Sequence, residues 1–160
     1  MNDAAASVRI RLAHADDDEF ILALAERFVA FELPPWRKKS ETLAGIRADI
    51  ARHLRDLPAG SHLFVAEDED GKHCGFLHLQ TQKDFFTGAL TCHISDIVVA
   101  PPVERHGVGR TMLDYAEQWA KQHRCRFVTL AVFPGNERAR KVYEQHGYGI
   151  DLLRLVKPVK

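Results

Sequence analysis

The sequence predicts an α/β fold, a central mixed β-sheet flanked by helices, in the order β-α-α-β-β-β-α-β-α-β. Three stretches carry that prediction. Apolar and polar residues alternate at 8–13, two β-rich runs flank a tight turn at 68–72, and an amphipathic helical stretch starts at Gly107 between two apolar runs. The 160 residues suit one domain, expected over 8–160 behind a disordered tail at 1–7.

Taken in order, the alternation over Val8–Ala13 suits a half-buried strand. Asp16 then stands as a helix N-cap with Glu19 three residues on, a capping-box pattern, and Phe20, Ile21, Leu24 and Phe28 supply the apolar stripe. Pro34 and Pro35 end that helix, because proline has no backbone N–H to donate. Ser40 is placed to cap a second helix with Leu43, Ile46, Ile50 and Leu54 on one face, stopping before Pro58 and Gly60. His62–Glu67 and His73–Gln82 read as hairpin strands joined at Asp68–Lys72, where Gly71 can take a positive φ. The stretch 84–89 connects to a strand at Leu90–Pro101. Val108, Met112, Ala116, Trp119 and Ala120 recur at helical spacing. A buried strand is expected at Arg126–Val132, then a short helix closed by Gly147, and a last strand over Tyr148–Val159.

The bulk chemistry removes several function classes. Lys+Arg and Asp+Glu both total 22, so no charge excess recruits nucleic acid or an anionic membrane. The three cysteines, Cys74, Cys92 and Cys125, are odd in number and lack CxxC spacing. Reduced, buried thiols are therefore expected rather than a disulfide framework or a zinc ribbon. Nine histidines include no HExxH pattern, so no metal is expected. "MNDAAAS" has no basic segment leading into an apolar one, and no apolar run approaches the ~20 residues of a membrane span. The cytoplasm is the default compartment.

Gly107 and Gly109 stand at a strand-to-helix junction, flanked by Arg105, His106 and Arg110. A helix N-terminus offers unpaired N–H groups and a positive dipole end, and glycine lets an anion approach the backbone closely. Met112 occupies the third glycine position of GxGxxG, and no Gly-Lys-Ser/Thr follows, so neither nucleotide-binding pattern is present. Alone, the pair fits a phosphate cradle and a plain turn equally.

The wider context resolves that ambiguity. "DIVVAPPVERHGVGRTMLDYAE" resembles motif A of the GCN5-related N-acetyltransferases: an apolar strand, a proline, Q/R-x-x-G-x-G/A, then a helix. "NERARKVYEQHGY" resembles the same family's N-x-x-A-x-x-x-Y-E-x-x-G-F/Y segment, and the element order matches across residues 8–160. One departure stands out, Glu104 where the family carries Gln or Arg.

The resemblance implies acetyl-CoA as co-substrate. The backbone of Ile97, Val98 and Val99 would pair with its pantetheine arm, as an added strand does. Glu104, Arg105, His106, Gly107, Val108, Gly109 and Arg110 would hold the pyrophosphate, with the Glu104 carboxylate opposing it. Asn136 would bond the pantetheine, a role compatible with capping its own helix. Tyr143 would contact the thioester end and protonate the leaving thiolate, and the Val99 amide would face the developing oxyanion. An amine of pKa ~10.4 must first lose a proton. His93, Asp96 and, through a water, Glu67 stand open as the acceptor of that proton, with His93 and Asp96 expected on opposite faces of their strand. Asp96 also resembles the acidic position that meets the cation in polyamine-acetylating members. Phe28, Phe31, Glu32, Trp36, Phe85 and Phe86 would line the acceptor pocket, aromatic faces and a carboxylate suiting a small cationic amine. The function implied is acetyl transfer to the primary amine of a small molecule. A protein amine as acceptor and a non-catalytic acyl-CoA-binding module are the alternatives, and a homodimer is the family's expectation.

Overall fold

Arg11 of the first strand reaches into the first helical turn, and that link sets how the chain begins. The computed structural model describes residues 7–101 and 107–160. Arg11 Nη1 and Nη2 donate to the two carboxylate oxygens of Asp17 at 2.8 and 2.9 Å, while its Nε donates to Glu67 at 2.8 Å. Asp17 is fully buried, and the guanidinium holds its carboxyl far below the ordinary range. The same carboxylate accepts from the His14 amide at 2.9 Å, so the first turn begins after His14 rather than after Asp16. The carboxylate that serves the turn is that of Asp17, held by Arg11, in place of the predicted Asp16.

One sheet holds five strands in sequence order: β1 (Arg9–Leu12), β2 (Ser61–Glu67), β3 (His73–Lys83), β4 (Leu90–Val99) and β5 (Phe127–Leu130). The first four run antiparallel, and β5 lies parallel to β4. A parallel neighbour needs a crossover, supplied by α3 (Val108–Gln122). On one face α3 covers Phe64, Leu77, Leu79 and Ile94 with Met112, Leu113 and Trp119. Every residue of its predicted stripe is buried. On the other face α1 (Asp18–Ala23), the turn that follows it and α2 (Lys39–Asp56) cover Leu63, Val65, Phe76 and Val98 with Ile21, Leu24 and Ile50. Neighbours such as Leu63 and Phe64 thus serve opposite cores, as the strand pleat requires. The α/β architecture with a mixed sheet is the one the sequence predicted.

Several details differ. The single first helix is α1 followed by 3-10 winding over Leu24–Val29, which still turns Leu24, Ala25 and Val29 inward. The second helix starts one residue ahead of Ser40, at Lys39, with Lys38 as N-cap. β5 is an edge strand with Phe127 exposed, not a buried one. After α4 (Glu137–Gln145), the predicted last strand pairs with no described strand. Its Ile150, Leu152, Leu153 and Leu155 are exposed. In an extended chain these residues fall on both sides, and a strand apolar on both faces needs cover from both. Nothing described in this chain supplies it.

The Arg11–Asp17 pair makes a testable claim on stability. Arg11→Met should cost about 3–5 kcal/mol at neutral pH, because it leaves a buried carboxylate without its cation. Asp17 is depressed, so its contribution is present above the ordinary carboxylate pKa and fades as pH falls through and below it. Denaturant titrations should show the gap between wild type and variant closing below about pH 4.

Candidate active site

The ladder between β3 and β4 skips one residue. His78 pairs with Asp96 and Leu79 with Ile94, leaving Ser95 as the extra residue of a bulge. The skip resets the alternation of β4. Cys92 and Ile94 pack on the α3 side, as do Ile97 and Val99, whereas Val98 packs on the α1/α2 side. His93 and Asp96 therefore share the α1/α2 face, which corrects the expectation that they face apart. The Ser95 hydroxyl oxygen is buried at the bulge with no described hydrogen-bond partner.

The bulge lies where the sheet opens. β4 pairs with β5 only from Thr91 to Ile94, and His93, on the penultimate rung, bonds Thr129 Oγ1 through Nδ1 at 2.8 Å. Beyond Ile94 no described strand borders β4 on that side. The Ala100 amide donates across to Cys74 of β3, and the Val98 carbonyl points toward Gly75 of β3. Backbone groups alternate direction along a strand, so Ile97 and Val99 turn their N–H and C=O to the open side. The next element continues the same wall. Gly107, at φ 75°, is the N-cap of α3, and a Cβ built there would meet nothing within 4 Å. A Cβ on Gly109 would touch only Val99 Cγ2, at 3.6 Å. An open strand edge ending at an uncapped helix N-terminus with two bare glycines fits a ligand of amides and phosphates. Glu104, Arg105 and His106 lie outside the described residues. Val108 is buried in the α3 core, so its backbone alone can serve. Arg110 is exposed and bonds Gln145 at 3.2 Å.

The other predicted residues separate into two groups. Asn136 caps α4, its Oδ1 accepting from Ala139 at 3.3 Å. Tyr143 packs against the α3-side core beside Tyr148, ring centroids 5.9 Å apart. Burial raises its pKa, keeping a proton on the phenol at neutral pH. Phe28 packs with the α1/α2 core, while Glu32 and Trp36 are exposed on the connection to α2. That connection meets the loop after β5. Phe31 and Phe133 lie 6.0 Å apart, and a side chain on Gly135 would collide with the Glu32 carbonyl. Phe85 is not brought there. It is 92% exposed at the tip of the β3–β4 hairpin, stacked edge-on with Phe86, about 20 Å along β4 from Asp96. Glu67 is likewise remote, tied to Arg9 and Arg11, which hold its carboxyl below the ordinary range.

Three neighbours of Asp96 were not singled out from sequence. His78, fully buried, bonds Asp96 Oδ2 through Nδ1 at 2.9 Å and Ser61 Oγ through Nε2 at 2.8 Å. Ser61 bonds His53 of α2 at 2.8 Å. Burial pushes the pKa of His53 down and, separately, that of His93, so both imidazoles are neutral at neutral pH. "HCGFLHLQTQ" showed only strand alternation, and its pairing with a helix residue had no local signal.

Comparison with known proteins identifies the arrangement. The profile described as "Acetyltransferase (GNAT) family" matches residues 21–148. This chain belongs to the acetyltransferase (GNAT) family. Acetyl-CoA-dependent N-acetylation is its general chemistry. Over 144 residues it is 28% identical to an uncharacterized N-acetyltransferase, YhfO, of Bacillus subtilis, spanning 90% of this chain and 91% of that one. The fold is shared with the crystal structure of a ribosomal-protein-alanine N-acetyltransferase from Brucella melitensis. The TM-score is 0.72 at 20% identity, covering 96% of this chain and 100% of that one. It is shared too with AAC(6')-Iy in complex with the bisubstrate analog CoA-S-monomethyl-acetylneamine, at a TM-score of 0.66 and 20% identity, covering 96% and 97%.

For this acetyltransferase, Gly109→Trp should abolish acetyl-CoA binding by calorimetry while thermal unfolding stays cooperative. Gly109→Ala, whose methyl would meet only Val99, should keep most of the affinity. Wild-type affinity in a folded Trp variant would remove Gly109 from the phosphate site.

Proposed function

We propose that this acetyltransferase moves an acetyl group from acetyl-CoA to the primary amine of a small cationic molecule. One observation carries the reading: the bulge at Ser95 puts Asp96 and a neutral His93 on one face, where the β4–β5 pairing ends. A carboxylate with a neutral imidazole beside it can attract an ammonium and then accept its proton. Bound acetyl-CoA supplies an activated acyl group on a thiol of pKa near 8.5.

The chain's own residues divide the work. Ile97 and Val99 pair with the pantetheine amides, with Asn136 bonding from the far side. Gly107, Gly109 and neighbouring backbone amides hold the pyrophosphate, assisted by Arg105, His106 and Arg110. Glu104 would contribute through its backbone N–H. The Val99 N–H donates to the acyl oxygen. Asp96 receives the ammonium, with Phe28, Glu32 and Trp36 around it, and His93 Nε2 takes the proton. Tyr143 Oη gives its proton to the departing sulfur.

A thiol-release assay over small diamines, monoamines and a lysine peptide tests the reading. Small diamines should turn over best; a preference for the peptide would favour a protein acceptor, and binding without turnover a non-catalytic module. Tyr143→Phe keeps the ring and its packing. It should lower kcat by roughly 10²–10⁴-fold with little change in acetyl-CoA affinity, the penalty easing as pH rises toward the thiol's own pKa. Full kcat in the Phe variant at neutral pH would return Tyr143 to the core.

We also propose that a second copy covers the exposed apolar segment after α4. Its Ile150, Leu152, Leu153 and Leu155 are exposed, in an extended chain falling on both sides, and β5 offers an open edge with Phe127 exposed. Sedimentation should give a dimer, and Leu153→Asp with Leu155→Asp a monomer. A monomeric wild type would reject the cover.

A further inference from the structure

Behind Asp96 runs a single file of polar side chains contributed by three strands and a helix. Asp96 on β4 meets His78 on β3, His78 meets Ser61 on β2, and Ser61 meets His53 on α2. At the far end His53 Nε2 lies 3.1 Å from Arg52 Nη2 and 3.1 Å from Gln80 Nε2. Asp49 Oδ1 stands 3.6 Å from the same nitrogen, beyond hydrogen-bond reach.

The proton positions follow from the far end. A guanidinium can only donate, so His53 Nε2 must accept and its hydrogen must sit on Nδ1. Ser61 Oγ therefore accepts from His53. The hydroxyl has one hydrogen and, in this file, one neighbour left, so it donates to His78 Nε2. His78 then carries its hydrogen on Nδ1 and donates it to Asp96 Oδ2. A proton on that oxygen would face the Nδ1–H, so the carboxylate must accept.

We infer that His78, Ser61 and His53 are positioning residues, which hold Asp96 Oδ2 as an oriented acceptor through a one-way run of donors starting at Arg52. The inference rests on the proposed role of Asp96 in receiving the ammonium and adds how that carboxylate is kept ready. A neutral imidazole orients the carboxylate without cancelling its charge, which a cationic partner would do. The charged and titratable groups around it are His78 from β3, His93 from its own strand, and His53 with Asp49 and Arg52 from α2. The Leu24–Val29 stretch turns Leu24, Ala25 and Val29 inward on this side. The tautomer pattern is itself diagnostic, because two adjacent neutral histidines must both carry their hydrogen on Nδ1.

Long-range ¹H–¹⁵N correlation spectra of the full chain at pH 7 test this directly. The expected result is neutral, Nδ1–H imidazoles at both His53 and His78. An Nε2–H or doubly protonated His78 would overturn the inference with no variant needed. Kinetics give the functional arm, with 1,4-diaminobutane as the amine. His78→Leu should move the acid limb of kcat/KM upward by about one pH unit, as the carboxylate loses its donor. His78→Asn, which restores an N–H near the Nδ1 position, should bring the limb back. Should His78→Leu fail to fold, Ser61→Ala serves instead, its limb shifting the same way and its His78 no longer confined to Nδ1–H. An unmoved limb in a folded variant overturns the inference. Asp96→Asn separates the two ideas. If it leaves KM for the diamine unchanged, the receiving role of Asp96 fails, and with it the purpose inferred for the network, whatever the spectra show.

Discussion

The extra residue at Ser95 is the constraint on which the rest of the site depends. Without it, β4 would present His93 and Asp96 to opposite cores, one of them against the packed face of α3. With it, both meet the α1/α2 face, at the level where β4 and β5 separate. The same irregularity leaves Ile97 and Val99 facing an open side. One inserted residue thus sets both the direction of the side chains and the accessibility of the backbone.

Asp17 and Asp96 show how a partner's charge decides what an acid can do. Asp17 is gripped by a guanidinium through two short bonds, and its charge is consumed in tying β1 to the first turn. Asp96 is held by one 2.9 Å bond from a ring that the inferred run of donors keeps neutral. Its geometry is fixed while its field remains available to a visitor. Burial alone does not distinguish them, since both side chains are largely covered. The distinction lies in whether the restraining group can carry a positive charge at the working pH.

Legibility from sequence followed the range of the interaction. The α3 stripe from Val108 to Ala120 was readable because its period is local and amphipathic, and the β2–β3 hairpin because Asp68–Lys72 carries its own turn chemistry. The start of the first helix was not, because the carboxylate that serves the turn is that of Asp17, held by Arg11 six residues away, and not that of Asp16. The bulge was invisible too, since "HISDIVV" contains nothing that announces an unpaired residue. The network behind Asp96 joins residues 8, 17 and 18 positions apart along the chain and has no periodicity to find. The glycine pair was legible as a junction, and the phosphate role came from resemblance rather than from spacing.

A strand edge kept open for a ligand is also an edge on which a foreign strand can seat itself, the usual beginning of aggregation. Here the unpaired stretch of β4 lies in the gap left where β5 stops, not on the outer rim of the sheet. A notch of that kind is a width filter. A single slender chain with amides at intervals can lie along it, whereas the rim of another folded sheet, with neighbouring strands at its back, cannot enter. The early end of β5 that makes the edge available therefore also guards it, so access and protection come from the same geometry.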